Sequence, residues 1–260
     1  MLGWLVLVSL AACTDDASAP PVAVPTQADP AAVRTQLATT PVPEGFETVA
    51  FDPIDYNRDQ LPGYHFEITV SFEGQYTASG EDANAGLVMQ VWENSVQRER
   101  RVVMSFTGDA LSGGLQRVEA TRFENDFYLL DSNGICTQNS SAAREIATLQ
   151  AAQIVGGVRL ALPTGLSREI NGQQSFQYAF GEDTLTLNIW QDESPSAVDV
   201  LSGELWVWPE LNVAARFGVS INTHNERVLF GEQPITGNIT YQYNLLNVEA
   251  DQNITLPNGC

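Results

Sequence analysis

The sequence predicts a mainly β fold of the α+β class, with about nine or ten antiparallel strands and one helix in a single body. Three observations predict it. Apolar and polar residues alternate with period two along much of the chain, the mark of strands with one buried face. Turn-forming pairs such as Asn94-Ser95, Gly113-Gly114 and Asn171-Gly172, and the run Gly181-Glu182-Asp183, fall between the alternating runs. One Ala-rich stretch breaks the alternation.

The first strand carries Tyr64, Phe66, Ile68, Val70 and Phe72, alternating with His65, Glu67, Thr69, Ser71 and Glu73. Leu87, Met89 and Val91 mark the second, and Val102, Met104 and Phe106 the third. Val118 and Ala120 are a weaker case before Phe127-Tyr128-Leu129-Leu130. The series continues through Phe176, Tyr178 and Phe180, then Leu185, Leu187 and Ile189, then Leu205 and Val207. Val213, Ala215, Phe217, Val219 and Ile221 form a long strand, and Ile239, Tyr241, Tyr243 and Leu245 close the series. The exception runs from Ser140 to Val155. A Ser cap, an apolar stripe of Ala143, Ile146, Ala147, Leu149 and Ile154, and Gly156-Gly157 just beyond predict a helix lying against a sheet. Periodicity leaves open whether the sheet closes on itself or curves into a cup, because one helix cannot cover this many strands.

Composition narrows the setting. The 260 residues carry a net charge of −20, with twelve Arg and no Lys as the only cations besides two His. Such acidity argues against nucleic acid, whose affinity rests on neutralising phosphates. An apolar content of 43% suffices for a core. Residues 2–12 form an apolar stretch of signal-peptide length, running into Leu10-Ala11-Ala12-Cys13, which matches the bacterial lipobox. No Arg or Lys precedes that stretch, a departure from the pattern. Acylated Cys13 would become the membrane anchor, each buried methylene contributing about 0.8 kcal/mol. Residues 14–44 are rich in Pro, Ala and Thr and lack aromatics, so they read as a tether; Asp29-Pro30 could cap a short helix there. The expected organisation is a signal peptide over 1–12, lipidated Cys13 and tether over 13–44, and one β-rich domain over 45–260. With Cys13 assigned to lipid, Cys136 and Cys260 remain, and an exported chain most simply joins them in a disulfide. The alternative is two free thiols, without the C-x-x-C spacing of redox proteins.

From Ile170 onward the chain resembles bacterial lipoproteins of the LppX/LprG type, relatives in fold of the LolA/LolB lipoprotein carriers. The resemblance is carried by Ile170-Asn171-Gly172 leading into Phe176-Gln177-Tyr178, by Gly203-Glu204-Leu205-Trp206-Val207, by the strand Val213–Ile221, and by Gly237 to Tyr243 running on to Pro257. The lipobox, tether and Tyr64–Phe72 fit the same layout more loosely. The resemblance implies a strongly curved antiparallel half-barrel with one or two helices in its concavity, binding acyl chains or lipidated cargo without catalysis and without a cofactor. It also implies that the concave face is lined by the alternating residues: Tyr64, Phe66, Ile68, Val70, Phe72, Met89, Val91, Met104, Phe176, Tyr178, Leu187, Leu205, Val207, Phe217, Tyr241 and Tyr243. The same residues could equally be ordinary core. The expected function is that of a monomeric, exported lipoprotein, anchored at the outer face of the cytoplasmic membrane or elsewhere in the cell envelope, that binds hydrophobic cargo and could hand it on. The alternative is a non-enzymatic envelope scaffold or adhesion-like module with a closed β core and no ligand.

Other features are weaker signals. Trp206 and Trp208 share a face opposite Leu205 and Val207, so either one face exposes aromatic surface or a second layer covers it; Trp92 and Trp190 are further candidates for a rim. His65 and His224 lack metal-ligand spacing, no G-x-S-x-G elbow points to a nucleophile, and no calcium-loop spacing occurs. Arg98, Arg100 and Arg101 form the one local basic cluster, suited either to an anionic headgroup or to pairing with Glu93 and Glu99.

Overall fold

The structure, a computed structural model, describes residues 41–187, 198–252 and 254–260. Cys13, residues 14–40 of the expected tether, Ile189 and Trp190 lie outside the described residues, whereas Val42, near the expected tether's end, packs against the core. Thirteen strands join in one antiparallel sheet. They are β1 (Val49–Phe51), β2 (Gly63–Tyr76), β3 (Asp82–Asn94), β4 (Glu99–Thr107), β5 (Arg117–Phe123), β6 (Asp126–Leu130), β7 (Cys136–Gln138), β8 (Gly157–Ile170), β9 (Gln173–Ala179), β10 (Leu185–Thr186), β11 (Val198–Trp208), β12 (Val213–Glu226) and β13 (Ile235–Asn247). Their spatial order is β1-β8-β9-β11-β12-β13-β2-β3-β4-β5-β6-β7, with β10 also paired to β8. The sheet is curved and open, with two α-helices among the described residues, consistent with a half-barrel.

Register turns the sequence alternation into one apolar face. A single rung runs Tyr178–Leu205–Phe217–Tyr243–Ile68–Met89–Met104–Val118 across eight neighbouring strands. The rung beside it places Leu245, Phe66, Val91, Val102 and Ala120 together. All of these side chains are buried. The opposite face carries Glu67, Thr69, Gln90, Ser220 and Asn222, partly exposed. A one-residue slip in any strand would exchange the two sets, so burial enforces the register.

The strand count exceeds the expected nine or ten because β1 and β7 are three residues long and β8 hides its pattern. In β8 the outward Leu160, Leu162 and Leu166 are exposed and Pro163 and Gly165 interrupt, so no alternation toward the core is visible. Asn171-Gly172 joins β8 to β9 with φ of 50° and 79°, the left-handed pair that a two-residue hairpin turn needs. The expected single helix over 140–155 is two: α1 (Ser141–Ala147) and α2 (Ala152–Val155). The Ser140 hydroxyl caps α1, accepting from the Ala143 amide at 3.1 Å. The α1 residues Ala143 and Ala147 pack on Ala120 and Phe127, on the apolar face of the sheet. Leu149, Ala151, Ile154 and Val155 join the main core together with Phe51, Ile54 and Leu61. Gly156 ends α2 at φ 72°, where a Cβ would lie 1.7 Å from the Thr186 carbonyl oxygen, so only glycine lets β10 approach. Cys136 and Cys260 form a disulfide across 124 residues, tying the last residue to edge strand β7. Among the described residues no helix is long and apolar enough to cross a membrane.

Candidate functional site

The apolar face ends in charge. One step beyond the Phe66 rung, Tyr64, Glu93, Arg100 and Arg122 stand opposite one another on β2, β3, β4 and β5. By the two-residue period they point to the same face as Phe66, Val91, Val102 and Ala120. Glu93 holds the row together. Its Oε2 accepts from Arg100 Nη1 and its Oε1 from Arg122 Nη2, both at 2.8 Å. Arg100 is buried and also donates to the Tyr64 hydroxyl at 3.2 Å and to the Leu149 carbonyl at 2.6 Å. Burial opposes its charge, but the Tyr64 phenol and the Glu93 carboxylate outweigh that and raise its pKa.

Above this row lies the 3-10 turn Arg58–Gln60. The Arg58 guanidinium is buried in an aromatic box, its carbon 4.2 Å from the Phe66 ring centroid and 5.3 Å from those of Tyr64 and Tyr243. Asp55 approaches its Nη2 at 2.8 Å, yet Nε, Nη1 and Nη2 make no aligned hydrogen bond. Burial pushes the Tyr243 hydroxyl up to about 12, against the opposing pull of Arg58. Tyr241 is raised by burial alone.

Asp55, Arg58, Tyr64, Glu93, Arg100 and Arg122 border a groove of about 680 Å³, together with residues such as Asn57, Ser95, Arg98, Thr148 and Gln150. Four of the chain's twelve arginines line it, Arg58, Arg98, Arg100 and Arg122, against the carboxylates of Asp55, Asp59 and Glu93. The local balance is 4 − 3 = +1 in a chain of net charge −20.

The residues expected to line a concave face are brought together, and all except Leu187, which is partly buried, are buried. They pack on one another and on the covering segments. Of them, Tyr64 borders the groove at the mouth, and Phe217 and Tyr241 border a second groove of about 510 Å³. That second groove opens on the polar face, where its groups satisfy each other: Arg216 Nε donates to Asn244 at 2.8 Å, and the hydroxyls of Ser220 and Thr240 are 2.8 Å apart. Neither Trp206 nor Trp208 leaves an exposed patch. Arg168 covers the Trp206 ring at 4.0 Å, Trp206 Nε1 donates to Glu204 at 3.0 Å, and both rings are buried along with Leu205 and Val207.

The basic cluster divides across the sheet. Arg100 joins the mouth, whereas Arg101 points to the other face, bonded to Glu119 at 2.9 Å and set against Trp92, which stacks on His65. Burial lowers the His65 pKa, more than nearby Glu67 raises it. Glu99, expected as an arginine partner, takes no part. Arg58 and Arg122 escaped the sequence reading, since each stands alone in the chain and only register and the 3-10 turn bring it to the groove. His224 lies 3.7 Å from Asp199, and no group of three metal-ligating side chains gathers among the described residues.

No protein-family model matches the chain, and no curated protein sequence matches it. Solved structures do. A DUF1329 family protein from Desulfovibrio piger aligns at 9% identity and a TM-score of 0.22, over 75% of this chain and 93% of its own. A domain assigned as an outer membrane lipoprotein-sorting protein from Vibrio parahaemolyticus aligns at 10% identity and the same TM-score of 0.22, over 71% and 83%. Neither is described as an LppX or LprG protein.

Proposed function

We propose that this protein is an exported lipoprotein that holds hydrophobic cargo, lipid acyl chains or lipidated molecules, on the inner face of its curved sheet. Cys13, once acylated, tethers it to a bacterial membrane at the outer face of the cytoplasmic membrane or within the envelope, and it works without catalysis. The reading rests on one observation: an open sheet whose inner face is apolar rung after rung and then ends in a charged row beside a groove. An amphiphile has that polarity. The lipobox and the sequence resemblance to LppX/LprG-type carriers support the same reading.

Ile54 and Leu61 ahead of β2, and Leu149, Ala151, Ile154 and Val155 ahead of β8, pack in the core with the inner face, so cargo enters as these segments move aside. Affinity then comes from buried apolar area, about 25 cal/mol per Å². Organic extraction of the gently purified full chain, followed by mass spectrometry, is expected to recover lipid beyond the Cys13 acyl groups at near one molecule per protein. Absence of such lipid, with no uptake of a fluorescent fatty acid, overturns the proposal. It would favour the second reading, an envelope scaffold acting through surface contacts. That reading draws on the burial of the lining side chains against one another.

A further inference from the structure

The arginines at the mouth groove keep donors that their carboxylate partners do not fill. Arg58 is only 3% exposed; its Nη2 pairs with Asp55 at 2.8 Å, while Nε and Nη1 lack an aligned hydrogen bond. Buried polar groups are nearly always satisfied, so such an orphan calls for a partner. Arg122 Nε is likewise buried and unpartnered. Arg98, exposed at the turn between β3 and β4, makes no ion pair among the described residues. Glu93 is already committed to Arg100 and Arg122. Three guanidinium groups with spare donors therefore border one groove.

We infer that the mouth groove binds a phosphate-class anion through Arg58, Arg98 and Arg122; resting on the lipid-binding reading above, that anion is the headgroup of the cargo. Guanidinium meets phosphate bidentately, in a geometry that Lys cannot reproduce. A tetrahedral phosphate presents oxygens in several directions, as donors on the 3-10 turn, on the β3–β4 turn and on β5 require. The groove, at about 680 Å³, is of the size that takes a small organic ligand rather than a bare ion. Beneath it lie Tyr64, Phe66 and Tyr243, the start of the apolar face, so a headgroup in the groove would place its acyl chain on that face.

Calorimetric titration of the full chain tests this with dihexanoyl phosphatidic acid, uncharged dihexanoylglycerol and inorganic phosphate. Phosphatidic acid is expected to bind at least about tenfold more tightly than dihexanoylglycerol. Arg98→Gln and Arg122→Gln should each weaken it about tenfold. Arg227→Gln, removing the same charge from the β12–β13 connection, should not. Equal affinity for the charged and uncharged amphiphiles overturns the inference, as does wild-type affinity in both Arg98→Gln and Arg122→Gln. Failure of phosphatidic acid and inorganic phosphate alike to bind also overturns it. Inorganic phosphate binding that Arg98→Gln and Arg122→Gln weaken, with no gain from acyl chains, upholds the anion site, assigns it to free phosphate and removes the lipid reading instead.

Discussion

Glu93 neutralises two guanidinium groups at once, and one of them, Arg100, is almost wholly withdrawn from water. Removing one partner of a buried pair leaves an uncompensated charge, which costs more than the pair itself contributes. Glu93→Ala should therefore lower stability by about 3–5 kcal/mol in urea unfolding. Arg122→Ala should cost far less, because that side chain keeps 25% of its exposure and water can solvate what remains. The sequence showed Arg98, Arg100 and Arg101 as neighbours, and adjacency on a strand sends consecutive side chains to opposite faces. Arg98 and Arg100 at the groove were thus legible; Arg58 and Arg122 were not, because the 3-10 turn and register across several strands bring them there.

At the scale of elements, alternation revealed those strands that bury one side, from β2 through β4 and from β11 through β13. It missed β8, whose outward leucines leave no contrast between its faces. The Ser140 cap and the glycines after Val155 were readable as helix ends, while the break between α1 and α2 was not. Gly156 marks where helix, turn and strand crowd together. Gly156→Ala should cost about 1–3 kcal/mol for its positive φ alone, and more from the clash with Thr186. Gly114→Ala makes the comparison, having φ 87° and open space around it, so its loss should be limited to the backbone strain. Thermal denaturation of both variants reads the difference.

Across the whole molecule, the Cys136–Cys260 bridge closes a loop of 124 residues and holds the C-terminus against the sheet edge. In the chain-entropy account a loop this long stabilises by about 5 kcal/mol, by restricting the unfolded chain. Urea unfolding with and without reductant should differ by that order, and a thiol assay on the denatured, unreduced protein should find no free thiol from this pair. The curvature that gives the sheet an inner side is likewise a property of the whole, built from many strands twisting in one sense.

Local rules let the sequence show most of the strands that bury one side, the apolar face of each of these, and the pairing of Cys136 with Cys260, because side-chain period and turn chemistry are written in short stretches. Tertiary structure alone decided that the apolar rungs align into one continuous inner face, that chain segments outside these rungs pack onto it, and that Arg122 meets Glu93 and Arg100 at its mouth, beside Arg58. The physical reason is distance along the chain: hydrogen-bond register joins residues dozens of positions apart, and no local pattern encodes which rung of one strand will stand opposite which rung of the next.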